Sequence, residues 1–429
     1  RNIILLKEKF MNANTEKKED GFTLFSLKKF EEAFPILLKF AIEGDAKAQY
    51  EVAYCYYFGY GINRDFEQAG KWYEASALQD YMDAYLALAN CYSKGLGKQK
   101  DLQQALYWYE KAGANGSAEG QFEAATLYFN GRVGNKEQAI YWYEVAAKQD
   151  HIGALTRLGW CYRYGRIVEK NVTKGMEYYK RAAELGFSLA QLRMGDFYTE
   201  KEDYKQAFDW YLKASENGEN VAQNSLGVCY YFGLGTKEDY EKAASWFLKS
   251  ALQNNKDAKN NLSVCYKNGH GVPKDINESV KWLIAAANQY HVASVFRLGY
   301  CYATGHGVKQ DLKEAEKYLG LAIKLGYDLT NYHLDAIYMN DSEVKIELKT
   351  TETKEEIMNE GFVFYAIGKY YHNDGEDYKQ ASYWYHKAID CGIEVAKEEL
   401  DEVEFEIDED LRMEEIRKII EASLADEEN

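Results

Sequence analysis

The stretch SLGVCYYFGLG, from Ser225 to Gly235, decides how the rest of the chain is interpreted. It places a cysteine beside two tyrosines and follows them closely with Gly-x-Gly. Taken alone, this combination is compatible with a redox centre, a metal ligand or a phosphate-binding loop, and also with none of these. The other copies of the same pattern separate these possibilities.

The cysteine of this stretch is one of a series. Six of the seven cysteines share its context and are separated by 36, 70, 68, 36 and 36 residues: Cys55, Cys91, Cys161, Cys229, Cys265 and Cys301. Each of the two wide gaps contains a further copy, with Leu127 or Phe197 at the cysteine position. Because the position accepts Cys, Leu and Phe, we interpret it as a buried helical contact rather than a ligand.

The copies define a repeating unit of two helices. Its pattern is A-x-x-x-L-G-x-C-Y-x-x-G-x-G, then an acidic residue, then a second segment such as YEKAASWFLKSALQNN. The fixed residues recur every three or four positions in both segments, which predicts two amphipathic helices joined by a glycine turn. Alanine or glycine at the first and sixth positions allows close helix packing. Glycine at the turn, as at Gly59 and Gly233, supplies a positive φ angle. The units begin at Ala48, Ala84, Gly120, Ala154, Ala190, Ala222, Ala258 and Ser294.

These eight copies, from Ala48 to about Tyr327, resemble the Sel-one-like repeat (SLR) family, a relative of the tetratricopeptide class with a longer inter-helix loop. The resemblance implies an all-α fold, a right-handed α/α superhelical solenoid of about ten helix-turn-helix repeats. Two copies depart from the pattern, since the Ala190 copy has 32 residues and the Gly120 copy has 34.

The ends of the chain differ from the middle, and the predicted organisation has four parts. We expect N-terminal capping helices over 1–47, eight repeats over 48–327, a degenerate repeat, insertion and final repeat over 328–393, and an acidic cap or tail over 394–429.

Two stretches near the C-terminus alternate between apolar and polar residues. The first contains Val344, Ile346 and Leu348, and the second contains Val403, Phe405 and Ile407. Alternation with a period of two is typical of strands, and the stretches carry opposite charges. The sequence therefore predicts a short two-stranded β element near the C-terminus.

The net charge of −17 is concentrated at the C-terminal end. The last 36 residues contain sixteen acidic and four basic residues, so they account for −12 of the total. No basic stripe is left in the remainder, and no apolar run approaches the roughly 18 residues of a membrane span. The opening RNIILLKEKF is too short and too charged for a secretory leader. We expect no nucleic-acid binding and no membrane insertion.

The sequence contains residues that could form disulfides, metal sites or catalytic centres, but their spacing favours structural roles. Each repeat has at most one cysteine, and equivalent positions in adjacent repeats should lie roughly 9–10 Å apart, too far for a disulfide. Unpaired thiols suggest a reducing compartment, so a cytoplasmic location is expected. His270 and His306 are interpreted as exposed loop residues rather than metal ligands. No nucleophile motif occurs, and we expect no enzyme activity, metal or cofactor.

The resemblance also implies where a partner binds. Related proteins hold ligands on the concave face formed by the first helices, which corresponds to the third, seventh and tenth positions of each unit. An alternative interpretation is that the aromatic residues there only pack between helices. The predicted binding residues are Tyr50, Tyr54, Tyr57, Asn90, Trp160, Arg163, Asn224, Tyr231, Asn260, Lys267, Phe296 and Tyr300.

The function predicted from these features is a non-catalytic scaffold or adaptor that binds a protein or peptide partner in the groove of the solenoid. One alternative is the regulatory or targeting region of a larger enzyme. A less favoured alternative is a weak hydrolase, as the resemblance to some disulfide-bearing relatives suggests.

Overall fold

A computed structural model describes residues 18–131, 135–326, 377–407 and most of the helical residues between 361 and 372. The chain forms two compact units, and the boundary between them falls at Ala190 and Gln191. In each unit, consecutive helices pack as antiparallel hairpins, so the prediction of an all-α solenoid is confirmed.

The helices of the first unit follow one another with short loops. They are α1 (18–26), α2 (Phe30–Ile42), α3 (Ala46–Phe58), α4 (Phe66–Ala77), α5 (Met82–Lys94), α6 (Leu102–Ala114), α7 (Ala118–Phe129), α8 (Lys136–Lys148), α9 (Ile152–Tyr164) and α10 (Val172–Glu184). Odd-numbered helices from α3 onward are the first helices of the hairpins, and even-numbered helices are the second.

The boundary between the units falls within α11 (Ser188–Glu200). The helices that follow are α12 (Tyr204–Glu216), α13 (Asn220–Phe232), α14 (Tyr240–Leu252), α15 (Lys256–Asn268), α16 (Ile276–Ala287), α17 (Val292–Thr304), α18 (Leu312–Lys324), α19 (helical residues between 361 and 372), α20 (Tyr378–Asp390) and α21 (396–407).

The first glycine of the Gly-x-Gly loop ends the first helix, as predicted. Gly59 has a φ angle of 77°, and its N–H donates to the carbonyl of Cys55 at 2.8 Å. The N–H of Asp65 then donates to the Tyr56 carbonyl at 2.9 Å, and the Asp65 carboxylate accepts from the N–H of Gln68 at the start of α4. The same loop closure recurs at Asp101, Asn171, Asp239, Asp275 and Asp311.

The second glycine of the loop has a different role, because it contacts the preceding hairpin. A Cβ atom on Gly97 would overlap the carbonyl oxygen of Phe66, the first residue of α4. Gly271 has the same relation to the Tyr240 carbonyl. Both glycines also have positive φ angles. The Gly-x-Gly spacing therefore serves two purposes, the end of a helix and the close contact of successive repeats.

The interior of each hairpin is closely packed. A Cβ atom on Gly227, at the sixth position of its unit, would lie 2.6 Å from the ring of Phe247 in the second helix. The six cysteines of the series are buried and free, which confirms their interpretation as packing residues. Burial raises the pKa of Cys229 to about 12, so its thiol is neutral in the folded protein.

The predicted β element is wrong in the part that the structure describes. The stretch with Val403, Phe405 and Ile407 lies in α21. Its inward side chains are Leu400, Val403 and Ile407, which have helical spacing and pack against the core of α16 to α20, whereas Phe405 is 64% exposed. The other predicted strand, with Val344, lies outside the described residues.

None of the helices in the described part of the chain has the length and apolar character that crossing a lipid bilayer requires.

Candidate binding surface of the first helices

The predicted binding residues fall into two groups by exposure. Five are buried and are not available to a partner in this structure: Arg163, Asn224, Tyr231, Asn260 and Phe296. The others are half-buried: Tyr50, Tyr54, Tyr57, Asn90, Trp160, Lys267 and Tyr300.

The two asparagines at third positions belong to a buried polar network rather than to a surface. The Asn260 side-chain oxygen accepts hydrogen bonds from Ser294 at 3.0 Å and from the Arg297 guanidinium at 2.9 Å. The Asn224 oxygen accepts from the Asn261 amide at 2.9 Å. These bonds join neighbouring first helices in the second unit, so the asparagines stabilise the stack.

Phe296 and Tyr231 are also packing residues. The Phe296 ring lies 6.2 Å from the ring of Phe364 in α19. The Tyr231 hydroxyl shares a hydrogen bond of 2.7 Å with His270 Nδ1, and the His270 ring stacks on Tyr240 at 4.5 Å. The expectation that His270 is an exposed loop residue is therefore wrong, since its imidazole is held between two tyrosines.

Two further predicted residues, Lys267 and Tyr300, line a cavity in the second unit. Arg297, Cys301 and His306 are among its other walls. Its volume of about 30 Å³ is far below the roughly 300–1,000 Å³ of typical ligand pockets, so it does not indicate a site for an organic ligand.

Arg163 and Asn90 in the first unit are engaged within their own hairpins. Arg163 is only 8% exposed, and its guanidinium lies 3.5 Å from the sulfur of Met176. The Asn90 side-chain oxygen accepts a hydrogen bond of 2.8 Å from the Tyr109 hydroxyl.

A cluster of exposed and half-buried rings lies at the N-terminal end of the first unit. We call it the aromatic patch, and it consists of Phe25, Tyr54, Tyr57, Phe58 and Tyr60. Tyr54 lies 5.6 Å from Phe25, 4.5 Å from Phe58 and 6.0 Å from Tyr60, measured between ring centroids. Phe58 also lies 4.9 Å from Tyr57. Phe58 is 47% exposed and Tyr60 is 40% exposed, so the cluster is open to solvent.

Sequence reasoning identified Tyr54 and Tyr57 but missed Phe58 and Tyr60. A signal was available, because Tyr60 takes the position between the two loop glycines, where leucine or histidine stands in several other copies.

Two carboxylates lie beside the aromatic patch. Burial raises the pKa of Glu51 to about 7; the charge of Lys47 opposes this increase, and that of Asp83 adds to it. One oxygen of the Glu51 carboxylate is buried and has no hydrogen-bond partner among the described residues. Burial, followed by the charges of Asp83 and Glu51, raises the pKa of Tyr50 to about 12. The two acids and the tyrosines of α3 therefore form one electrostatic cluster.

The middle of the first unit has aromatic rings and positive charge instead. The Trp160 ring lies 6.0 Å from Phe129 of the preceding first helix. The guanidinium of Arg157 lies over Phe129 at 5.3 Å, and that of Arg166 lies over Trp160 at 5.8 Å. Tyr164 is 49% exposed beside them.

One group in the described residues has the composition of a metal site, namely His372, Glu399 and Glu402. Its central carboxylate is already engaged, because Glu399 accepts hydrogen bonds from the Lys369 ammonium at 2.9 Å and the Tyr365 hydroxyl at 3.1 Å. A lysine within this distance opposes a cation, so the arrangement fits an ion-pair network better than a metal centre.

The loop closures and hairpin contacts described above match a known repeat. The Sel1 repeat pattern matches residues 46–81, 83–117, 118–151, 152–187, 188–219, 220–255, 256–291, 292–327 and 365–393. The chain belongs to the Sel1 repeat family.

Similar proteins occur in yeast and bacteria. The chain is 28% identical over 236 residues to the chitin synthase regulator SKT5 of Saccharomyces cerevisiae, which covers 50% of this chain and 34% of that protein. It is 29% identical over 243 residues to the uncharacterized protein NMB1327 of Neisseria meningitidis, and this match covers 48% of this chain and 51% of that protein. The chain thus spans between a third and a half of the length of these curated relatives.

Solved structures of Sel1 repeat proteins share the fold. One is c5321, a protective antigen of uropathogenic Escherichia coli with an SLR fold, at 27% identity and a TM-score of 0.66, covering 86% of this chain and 82% of that one. Another is a Sel1 repeat protein from Oxalobacter formigenes, at 25% identity and a TM-score of 0.57; the match covers 71% of this chain and 90% of that one. Sel1 repeat solenoids commonly mediate protein interactions and are typically non-catalytic.

Proposed function

We propose that this Sel1 repeat chain is a non-catalytic scaffold or adaptor that holds a partner protein by a peptide segment lying along the first helices of its first unit. The observation that carries the proposal is the aromatic patch, in which Phe58 and Tyr60 are exposed and do not belong to the buried core of the first helices. Exposed aromatic clusters are typical of interaction sites, because tyrosine and other aromatic residues contribute strongly to binding.

The half-buried rings at Trp160 support an extended site. Tyr54 in α3 and Trp160 in α9 occupy the same seventh position of their units, on two first helices of one compact unit. A peptide that follows the first helices would meet aromatic side chains at both places, and repeat proteins use such extended surfaces for recognition.

A second candidate function is the control of an enzyme by binding to it. The yeast relative is named as a regulator of chitin synthase, which favours this role over an activity of the chain itself. The partner would then be an enzyme subunit or another domain of a longer protein, and the same surface would bind it.

The proposal can be tested by crosslinking and capture from the native cell with matched variants. Phe58→Ala removes the most exposed ring of the patch, and Tyr107→Ala removes a ring of 53% exposure on the second helix α6. We expect Phe58→Ala to reduce capture of a specific partner by about tenfold, while Tyr107→Ala leaves it unchanged. Equal capture by both variants would contradict the assignment of the aromatic patch.

A further inference from the structure

The charge at the fourth position of the repeat changes sign along the first helices of the first unit. The fourth position of the repeat holds Glu51 in α3 and Glu123 in α7, but Arg157 in α9. Asp83 near the start of α5 adds a further negative charge at the N-terminal end. A bound segment would therefore meet carboxylates beside the aromatic patch and guanidinium groups beside Trp160.

Glu51 is only partly compensated at this negative end, because the charge of Lys47 opposes part of the effect of burial on the pKa of its carboxyl group. Its buried carboxylate oxygen accepts no hydrogen bond in the part of the chain that the structure describes. An unpaired acceptor of this kind loses the hydration that it has in the unfolded chain, which is unfavourable unless a donor reaches it.

Several of the chain's own cations at this end make contacts with other residues. The Lys47 ammonium, one turn before Glu51, lies over the ring of Phe22 at 4.1 Å. The Arg64 guanidinium lies over the ring of Phe66 at 5.3 Å, and Lys29 lies 3.5 Å from Glu32. None of these three cations lies within ion-pair distance of Glu51, although the charge of Lys47 acts on it from beyond that distance and partly offsets the effect of burial.

From this arrangement we propose that the aromatic patch binds a basic segment of the partner, and that Glu51 together with Asp83 receives a lysine or arginine side chain of that segment. The inference rests on the proposed function and specifies the chemistry of the partner. The positive charge of such a side chain is attracted by both carboxylates and by the tyrosine rings, while its aliphatic stem packs against Tyr54.

An anionic or neutral segment fits this end less well. A carboxylate near Glu51 and Asp83 would be repelled, and an apolar side chain would displace water from the two acids without supplying a compensating charge. The guanidinium groups of Arg157 and Arg166 offer the opposite preference at the far end of the unit. The polarity of charge thus also sets a direction for the bound segment.

The test uses phage display of random 12-residue peptides on the full chain, followed by anisotropy measurements with a fluorescent synthetic copy of one selected peptide. We expect lysine or arginine to be enriched at a fixed position. Glu51→Gln should then lower the affinity of the chosen peptide by about tenfold. Glu67→Gln, an exposed carboxylate on the second helix α4, is the matched control and should leave the affinity unchanged.

Replacing the enriched basic residue by norleucine, which keeps the stem and removes the charge, completes a double-mutant cycle. We expect the norleucine peptide to bind the wild-type chain and Glu51→Gln equally. The inference is overturned if the selected peptides lack a fixed cation, or if Glu51→Gln binds the lysine peptide as tightly as the wild type does. In those cases a loss of binding in Phe58→Ala would still support the proposed function. Selection of no peptide, or normal binding by Phe58→Ala, would count against both.

Discussion

Substitution of Gly97 by alanine tests whether the second loop glycine joins successive repeats. The backbone there has a φ angle of 74°, which disfavours alanine by about 1–2 kcal/mol. The new Cβ atom would also overlap the Phe66 carbonyl oxygen, a backbone atom that moves only if the loop and α4 separate. Overpacking of this kind costs about 1–3 kcal/mol more. The expected loss of stability is therefore about 2–5 kcal/mol.

Gly116 provides the matched control, since its φ angle is 93° and no atom lies within 4 Å of the position of its Cβ. Gly116→Ala should show the backbone effect alone, about 1–2 kcal/mol. Both substitutions restrict the unfolded chain equally, so that contribution cancels in the comparison. The difference between the two variants measures the contact between repeats.

Hydrogen–deuterium exchange is the appropriate assay, because stacked repeats can open locally and a single unfolding free energy is then poorly defined. Gly97→Ala should accelerate exchange in α4 and α5 more than Gly116→Ala does in α6 and α7. If the two variants lower protection equally, the second glycine is needed only for the turn, and the contact with Phe66 does not join the repeats.

Three further predictions concern packing, charge and binding. Cys229→Ala should cost about 1 kcal/mol through a small cavity and leave the response to oxidants unchanged; a lost redox response would contradict the packing role. The pKa of Glu51 is about 7 in the folded protein, against an ordinary value of 4.5, because the folded state favours the protonated carboxyl group. The contribution of Glu51 to folding stability is therefore complete below pH 4.5 and is lost as the pH rises through 7. The free energy of unfolding of Glu51→Gln should therefore exceed that of the wild type at pH 8 by about 1–2 kcal/mol, after allowance for solvent screening. Chemical denaturation of both proteins at pH 5 and pH 8 measures this difference. Trp160→Ala should weaken partner binding by about 2 kcal/mol. It should lower the melting temperature less than Leu158→Ala does, since Leu158 is a fully buried residue of the same helix. If Trp160→Ala lowers the melting temperature more and leaves binding unchanged, Trp160 is a packing residue.

The repeat pattern was sufficient to predict the helical hairpins. A cysteine position that also accepts leucine and phenylalanine could only be a packing position, and the loop glycines marked where each first helix ends. The misassigned strand at Val403 shows the limit of short patterns. Alternation of three apolar residues was visible, but the helical spacing of Leu400, Val403 and Ile407 was equally present, and contact with the core selected the helix.

The binding surface was less predictable than the fold. The third position is half-buried at Tyr50 but fully buried at Asn224 and Asn260, although all three have the same place in the repeat. Exposure depends on what packs against a helix from outside its own hairpin, and the repeat pattern contains no information about that. For the same reason, the unpaired oxygen of Glu51 could not be inferred from its position in the sequence.

The buried cysteines can report local unfolding of the repeats that contain them. Six repeats each contain one thiol at an equivalent depth, and burial keeps these thiols protonated, with the pKa raised to about 11 at Cys91 and Cys161. Only the thiolate reacts readily with alkylating reagents, so each cysteine should be modified when its own repeat opens. Mass spectrometry of the labelled chain would then report, repeat by repeat and without any engineered label, which hairpin separates first.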